Sequence, residues 1–137
     1  MRTFYLFKIK KSYFELTKNN PYNLYKAIEN IYYLKADQLD YLSIFFHQIR
    51  DTFNKKFLDN NIYEYYKNRY TYTKVKDAHI INDYYTDEKS KLIINPSYMY
   101  IKSTKNIPTF LKAITKKDYV FVCDFINKDY FWLEELL

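Results

Sequence analysis

The chain of 137 residues contains no glycine. A P-loop, a dinucleotide fingerprint and a nucleophile elbow all need glycine where the backbone turns sharply or approaches a ligand, so those three enzyme classes are excluded. Cysteine is limited to Cys123, which cannot form an internal disulfide and suits a reducing compartment. No apolar run approaches the roughly 20 residues that span a bilayer, and the opening MRTFYLFKIKK lacks an export h-region and a small-residue cleavage site. The expectation is a cytoplasmic protein without a membrane span. The residues that could be recruited for a metal or a nucleophile are His47, His79, Asp83, Cys123 and Asp124. They lie far apart and match no ligand spacing such as Cys-x-x-Cys or His-x-x-x-His, so neither a metal nor a cofactor is expected.

What is abundant is aromatic and basic. Phe, Tyr, Ile, Asn and Lys make up 74 of the 137 residues, and all five have codons opening with two A or T bases. Nucleotide bias therefore explains much of the composition and tempers the reading of the +6 net charge as a sign of an anionic partner. With 48% hydrophobic and 28% charged residues, the chain has the balance of a globular protein and the length of one domain.

Turns must be made by Asn, Asp and Pro, at Asn19-Asn20-Pro21, Asn60-Asn61, Asn95-Pro96 and Asn127-Lys128-Asp129. Residues 3–10 read as a strand with Tyr5, Phe7 and Ile9 on one face. Ser12 and Glu15 have capping-box spacing and open a short helix. Asn20 and Pro21 open a second, with Leu24, Ala27, Ile28 and Ile31 as its apolar stripe to about Leu34. Asp37 caps a third, whose Leu39, Leu42, Phe46, Ile49, Phe53 and Phe57 keep helical spacing to Asp59. Asn61 caps a shorter fourth helix to about Arg69.

Residues 71–76 then read as a strand, 78–90 give no clear pattern, and 91–95 and 97–102 form strands around Asn95-Pro96. A helix over 107–116 with Phe110, Leu111 and Ile114 inward, a buried strand over 119–125 and a last strand over 130–133 complete the order. The arrangement predicts a single α/β domain, residues 1–137, with a mixed β-sheet and helices packed against it.

Three constellations bear on function. Cys123 sits inside the buried-strand run, where a small apolar thiol is the ordinary occupant. Residues 62–76 interleave aromatics with Lys67, Arg69, Lys74 and Lys76, as a stacking surface for single-stranded nucleic acid would. A helix and strand with a buried aromatic face and a solvated lysine face explain the same stretch, and direct nucleic-acid binding is not the favoured reading. The carboxylate pairs Asp87-Glu88 and Glu134-Glu135 lie in a turn and near the carboxy-terminus and imply no acid–base chemistry. The surplus of tyrosine suits a protein interface, since its ring buries area at low entropic cost and keeps a hydrogen-bonding tip. The residues alone thus point to a small α/β binding module.

The blocks RTFYLFKIK at residues 2–10, QLDYL at 38–42 and YVFVCDFINKDYFWL at 119–133, in this order and over nearly the whole length, resemble the SirA family of sporulation inhibitors of replication. The resemblance implies a non-enzymatic cytoplasmic protein that binds the amino-terminal domain of the replication initiator DnaA and restrains initiation as cells enter sporulation. It implies a partner patch on the first short helix and a neighbouring Gln-x-x-Tyr. The matching positions are Tyr13, with Phe14 beside it, and Thr17, which stands where a larger aromatic is usual, together with Gln38 and Tyr41. On the expected third helix Gln38, Tyr41 and Phe45 share a stripe adjoining the inward Leu39, Leu42 and Phe46. No small-molecule substrate is implied.

Overall fold

In the computed structural model, which describes residues 1–33, 46–114 and 119–136, strict alternation along β1 (Arg2–Lys8) divides the molecule into two layers of side chains. Phe4 and Leu6 point to one face of the sheet, and Tyr5 and Phe7 to the other. β1 is central, hydrogen-bonded to β5 (Met99–Ser103) on one side and β6 (Val120–Asp124) on the other. The remaining strands are β2 (Tyr72–Val75), β3 (Ala78–Asp83), β4 (Glu88–Ile94) and β7 (Asp129–Trp132). The sheet runs β2-β3-β4-β5-β1-β6-β7, and every pairing is antiparallel. The α/β class agrees with the expectation, but the sheet is purely antiparallel rather than mixed, and the unreadable residues 78–90 supply all of β3 and the start of β4.

Hairpins without glycine place Lys76, Asp87 and Lys128 at positive φ, 54°, 56° and 53°. That region is sterically costly for residues with a Cβ. Asn95-Pro96 and Asn127-Lys128-Asp129 do turn the chain, between β4 and β5 and between β6 and β7.

One face carries the first core, where α3 (Lys55–Tyr66) sets Leu58, Ile62 and Tyr66 against Phe4, Leu6, Leu92, Ile101 and Val122. A 3-10 turn, Thr109–Lys112, adds Phe110 and Leu111, and Ile114 follows, so the three expected inward residues are buried although only this single turn of the helix expected over 107–116 is found among the described residues. The opposite face carries the second core, where α1 (Lys11–Thr17) and α2 (Pro21–Tyr32) cover β1, β6 and β7. No helix among the described residues is long and apolar enough to cross a membrane.

Five local expectations need correction. The helix expected from Asp37 to Asp59 does not run through: residues 46–49 are helical, then Arg50 forms a β-bridge with Ile9. There Lys10 N–H donates to Ile49 O and Asp51 N–H to Lys8 O, at 3.0 and 2.7 Å. Asn54, not Asn61, caps the next helix; its side chain accepts from the Phe57 N–H at 3.1 Å, and Asn60-Asn61 lies inside α3 rather than in a turn. Ser12 is inside the first turn of α1, whose N-cap is Lys10, so the capping box is not formed. Asn20 does precede α2 with Pro21 in the first turn, but its side chain makes no capping bond. The buried stripe of α2 is Leu24, Tyr25, Ile28 and Glu29, rotated from the expected one. Glu29 can be buried because Tyr25 Oη donates to it at 2.7 Å and Lys26 Nζ at 2.9 Å.

Candidate functional site

α1 is only seven residues long and holds no fully buried side chain, so its position depends on a few contacts. Phe14 supplies them: its ring stacks on Tyr119 at 4.2 Å and meets Trp132 edge-on at 4.8 Å. Tyr13 is half-buried against the same core. The Thr17 hydroxyl donates to the Tyr13 carbonyl oxygen at 2.6 Å, a bond back along the helix. With Phe14 turned inward, Leu16, two positions on, faces outward and is 75% exposed. Sequence reasoning missed Leu16, although its opposition to Phe14 on the helix was the available signal.

The carboxy-terminal end of α2 reaches an aromatic cluster. Tyr32 stacks on Phe125 at 4.3 Å and lies 5.3 Å from Tyr5, and Tyr33 meets Tyr32 edge-on at 4.9 Å. Gln38, Tyr41 and Phe45 lie outside the described residues, as do Leu39 and Leu42. The residues flanking that segment are informative: Tyr32 before it and Phe46 after it both line one pocket of about 260 Å³, together with Tyr5, Phe7, Ile28 and Tyr98. Phe46 meets Phe7 edge-on at 5.6 Å, and the Arg50 guanidinium covers its ring at 4.7 Å. Arg50 Nη2 donates to His47 Nδ1 at 2.8 Å, whereas its buried Nε and Nη1 find no partner among the described residues. Burial pushes this guanidinium below its ordinary pKa.

The aromatic-basic stretch 62–76 divides as a solvated helix and strand would. Ile62, Tyr66 and Tyr72 are buried in the first core, while Tyr65, Tyr70 and the four basic residues face outward. Lys67 pairs with Glu64 at 2.7 Å, and Arg69 lies over Tyr65 and Tyr66.

The candidate nucleophiles and ligands are separated by the fold. Cys123 is fully buried in the second core, and burial raises its thiol pKa well above the usual value, which keeps it protonated. Asp124 turns to the opposite face and accepts from Arg2 Nε at 2.8 Å and from Asn127 Nδ2 at 2.7 Å. Burial alone would raise that carboxyl, and the Asn127 and Arg2 donors outweigh it and hold it low. His79 is fully buried between Tyr72 Oη and Asp59, at 2.8 and 2.7 Å. A Tyr–His–Asp line could in principle activate a hydroxyl, but Tyr72 is itself buried and its hydroxyl pKa is pushed up to about 12 by that burial. The line ties α3 to β2 and β3. Among the described residues no three His, Cys, Asp or Glu side chains gather as a metal site.

Compared with known proteins, the chain matches no family model, and no curated protein is similar to it.

Proposed function

We propose that this protein is a non-enzymatic inhibitor of replication initiation that binds the amino-terminal domain of DnaA during sporulation. The reading rests on the resemblance to the SirA family, and one structural observation supports it. Tyr13 and Phe14 of α1 pack into the same core, on the same face of the sheet, as Phe46, which directly follows the segment bearing Gln38, Tyr41 and Phe45. α1 and Phe46, the first described residue after that segment, thus pack on the same face of the sheet. Leu16, Tyr22 and Tyr33 add exposed apolar surface on the covering helices and the residue after α2, the composition that favours a protein partner.

Calorimetric titration with the isolated amino-terminal domain of DnaA tests the reading. Saturable binding is expected, and Tyr41→Ala lowers affinity about thirtyfold, the cost of about 2 kcal/mol for a central aromatic anchor. Lys74→Ala, on the aromatic-basic stretch, leaves that affinity unchanged. Absence of binding by the folded wild-type protein, or wild-type affinity in a folded Tyr41→Ala protein, refutes the assignment or the patch respectively.

A further inference from the structure

Among the described residues, α1 and α2 cover only the β1–β6–β7 half of their face, and no described helix packs over the other half. The register lays out its side chains in rows. One row reads Ile80, Lys91, Lys102 and Thr3 across β3, β4, β5 and β1; the next reads Ala78, Ile93, Tyr100 and Tyr5. Lys89 stands two residues from Lys91 on the same face. Lys91 and Lys102 are thus direct cross-strand partners, with Cα atoms about 5 Å apart, an arrangement in which like charges destabilise a sheet. No carboxylate of β2 to β5 shares the face: Asp83 and Glu88 point to the first-core side, where Glu88 accepts from Ser90 Oγ and the Thr109 N–H.

That other half is also concave. A trough of about 280 Å³ runs along Ile80, Asn82, Lys89, Lys91 and Lys102. Lys102 also lines a second hollow of about 130 Å³ with Thr3, Tyr5, Tyr32, Tyr100 and Phe125. Lys102 lines both, so the lysine row and the aromatic hollow adjoin on this face.

We propose that this trough binds single-stranded DNA, its phosphates on Lys89, Lys91 and Lys102 and its bases against Tyr100 and the neighbouring rings. A linear polyanion bearing flat apolar groups matches both the lysine row and the aromatic hollow, and phosphate between the paired lysines removes their mutual repulsion. Ile80, at the end of the lysine row, and Ile93, in the next row, offer apolar contact to a thymine methyl, which favours DNA over RNA. This surface is separate from α1, and Lys74 of the aromatic-basic stretch lies on the opposite face of the sheet, across from His79.

Fluorescence anisotropy with labelled oligo(dT) of on the order of 12 nucleotides, titrated between about 50 and about 200 mM salt, is the test. The wild type is expected to bind with a salt dependence that becomes shallower by about 1.4 log units per log unit of salt in Lys91→Gln/Lys102→Gln. Tyr100→Ala weakens binding about tenfold and Tyr100→Phe restores it, because the ring rather than the hydroxyl stacks. Lys74→Ala and Tyr13→Ala leave it unchanged, and oligo(dT) binds more tightly than oligo(U). Lys74, Lys91 and Lys102 are solvent-exposed, so thermal melts of the lysine variants stay near wild type, and Tyr100→Phe keeps the ring's contact with Tyr5. Absence of binding at the lowest salt, an unchanged salt slope in the double lysine variant, or tighter binding of an acidic peptide or of oligo(U) overturns the proposal.

Discussion

His79 illustrates how much one side chain can couple. It is fully buried, and its partners fix its tautomer: the ionised Asp59 can only accept, so Nε2–H donates to it, and Nδ1 accepts from the Tyr72 hydroxyl. Burial pushes the imidazole below its ordinary pKa, with Asp59 opposing. Burial would raise Asp59, but the bonds from Lys55 and His79 prevail and its pKa is lowered. Both shifts act in the same direction on stability. The unfolded chain takes up a proton on His79 below about pH 6.5 that the folded protein resists, and another on Asp59 near pH 4, so folding weakens progressively in acid. Urea unfolding at about pH 7 and about pH 5 is expected to show that loss, and His79→Gln to reduce it while costing about 1–3 kcal/mol at the higher pH. An undiminished pH dependence in His79→Gln would place its source elsewhere. None of this was legible in the sequence, because Asp59 and Tyr72 are 20 and 7 residues from His79 and meet it only after α3 folds over the sheet.

At the scale of elements, apolar spacing found the buried positions more reliably than it found the elements. Ile49 and Phe53 fit one helical stripe, and both are buried, but in different cores on opposite faces of the sheet. A straight helix cannot serve both. The chain therefore leaves the helical path at Arg50, bridges to Ile9, and crosses to the other face, where the Phe53 N–H donates to Pro96 O at 2.8 Å. Periodicity carries no information about which face a residue serves, so the break was invisible to it. The strands were easier, since β1, β2, β4, β5, β6 and β7 were all located to within a few residues by alternation or by a continuous apolar run. The break makes Asn54 the helix start. Asn54→Ala is expected to cost about 1 kcal/mol in denaturant unfolding, whereas Asn61→Ala, inside α3, changes stability little. Equal losses at the two positions would contradict the assigned helix start.

At the scale of the whole molecule, the frame that holds the fold together is separate from α1, the helix that the proposed function makes part of the partner surface. β1 enters the sheet first in sequence yet pairs with β5 and β6, so the closing contacts join residues about a hundred positions apart, and Arg2 adds ion pairs to Asp124 and Asp129 at 2.8 Å. Against that frame α1 is a small appendage fixed through Phe14. The resemblance named Tyr13, Phe14 and Thr17 together, but in the fold they differ: Phe14 faces the core, Thr17 bonds back to Tyr13, and the outward apolar residue is Leu16. Phe14→Ala should then cost about 2 kcal/mol of stability by emptying the space between Tyr119 and Trp132 and, under the proposed function, weaken DnaA binding by loosening the helix. Leu16→Ala should leave stability within about 0.5 kcal/mol of wild type while still lowering affinity for the DnaA domain, because its side chain is already in solvent in the free protein. Thermal melts paired with titrations of both variants decide the matter. A Leu16→Ala protein with full affinity would remove α1's outward face from the interface, and a Phe14→Ala protein of unchanged stability would show that the ring is not what fixes α1 to the sheet.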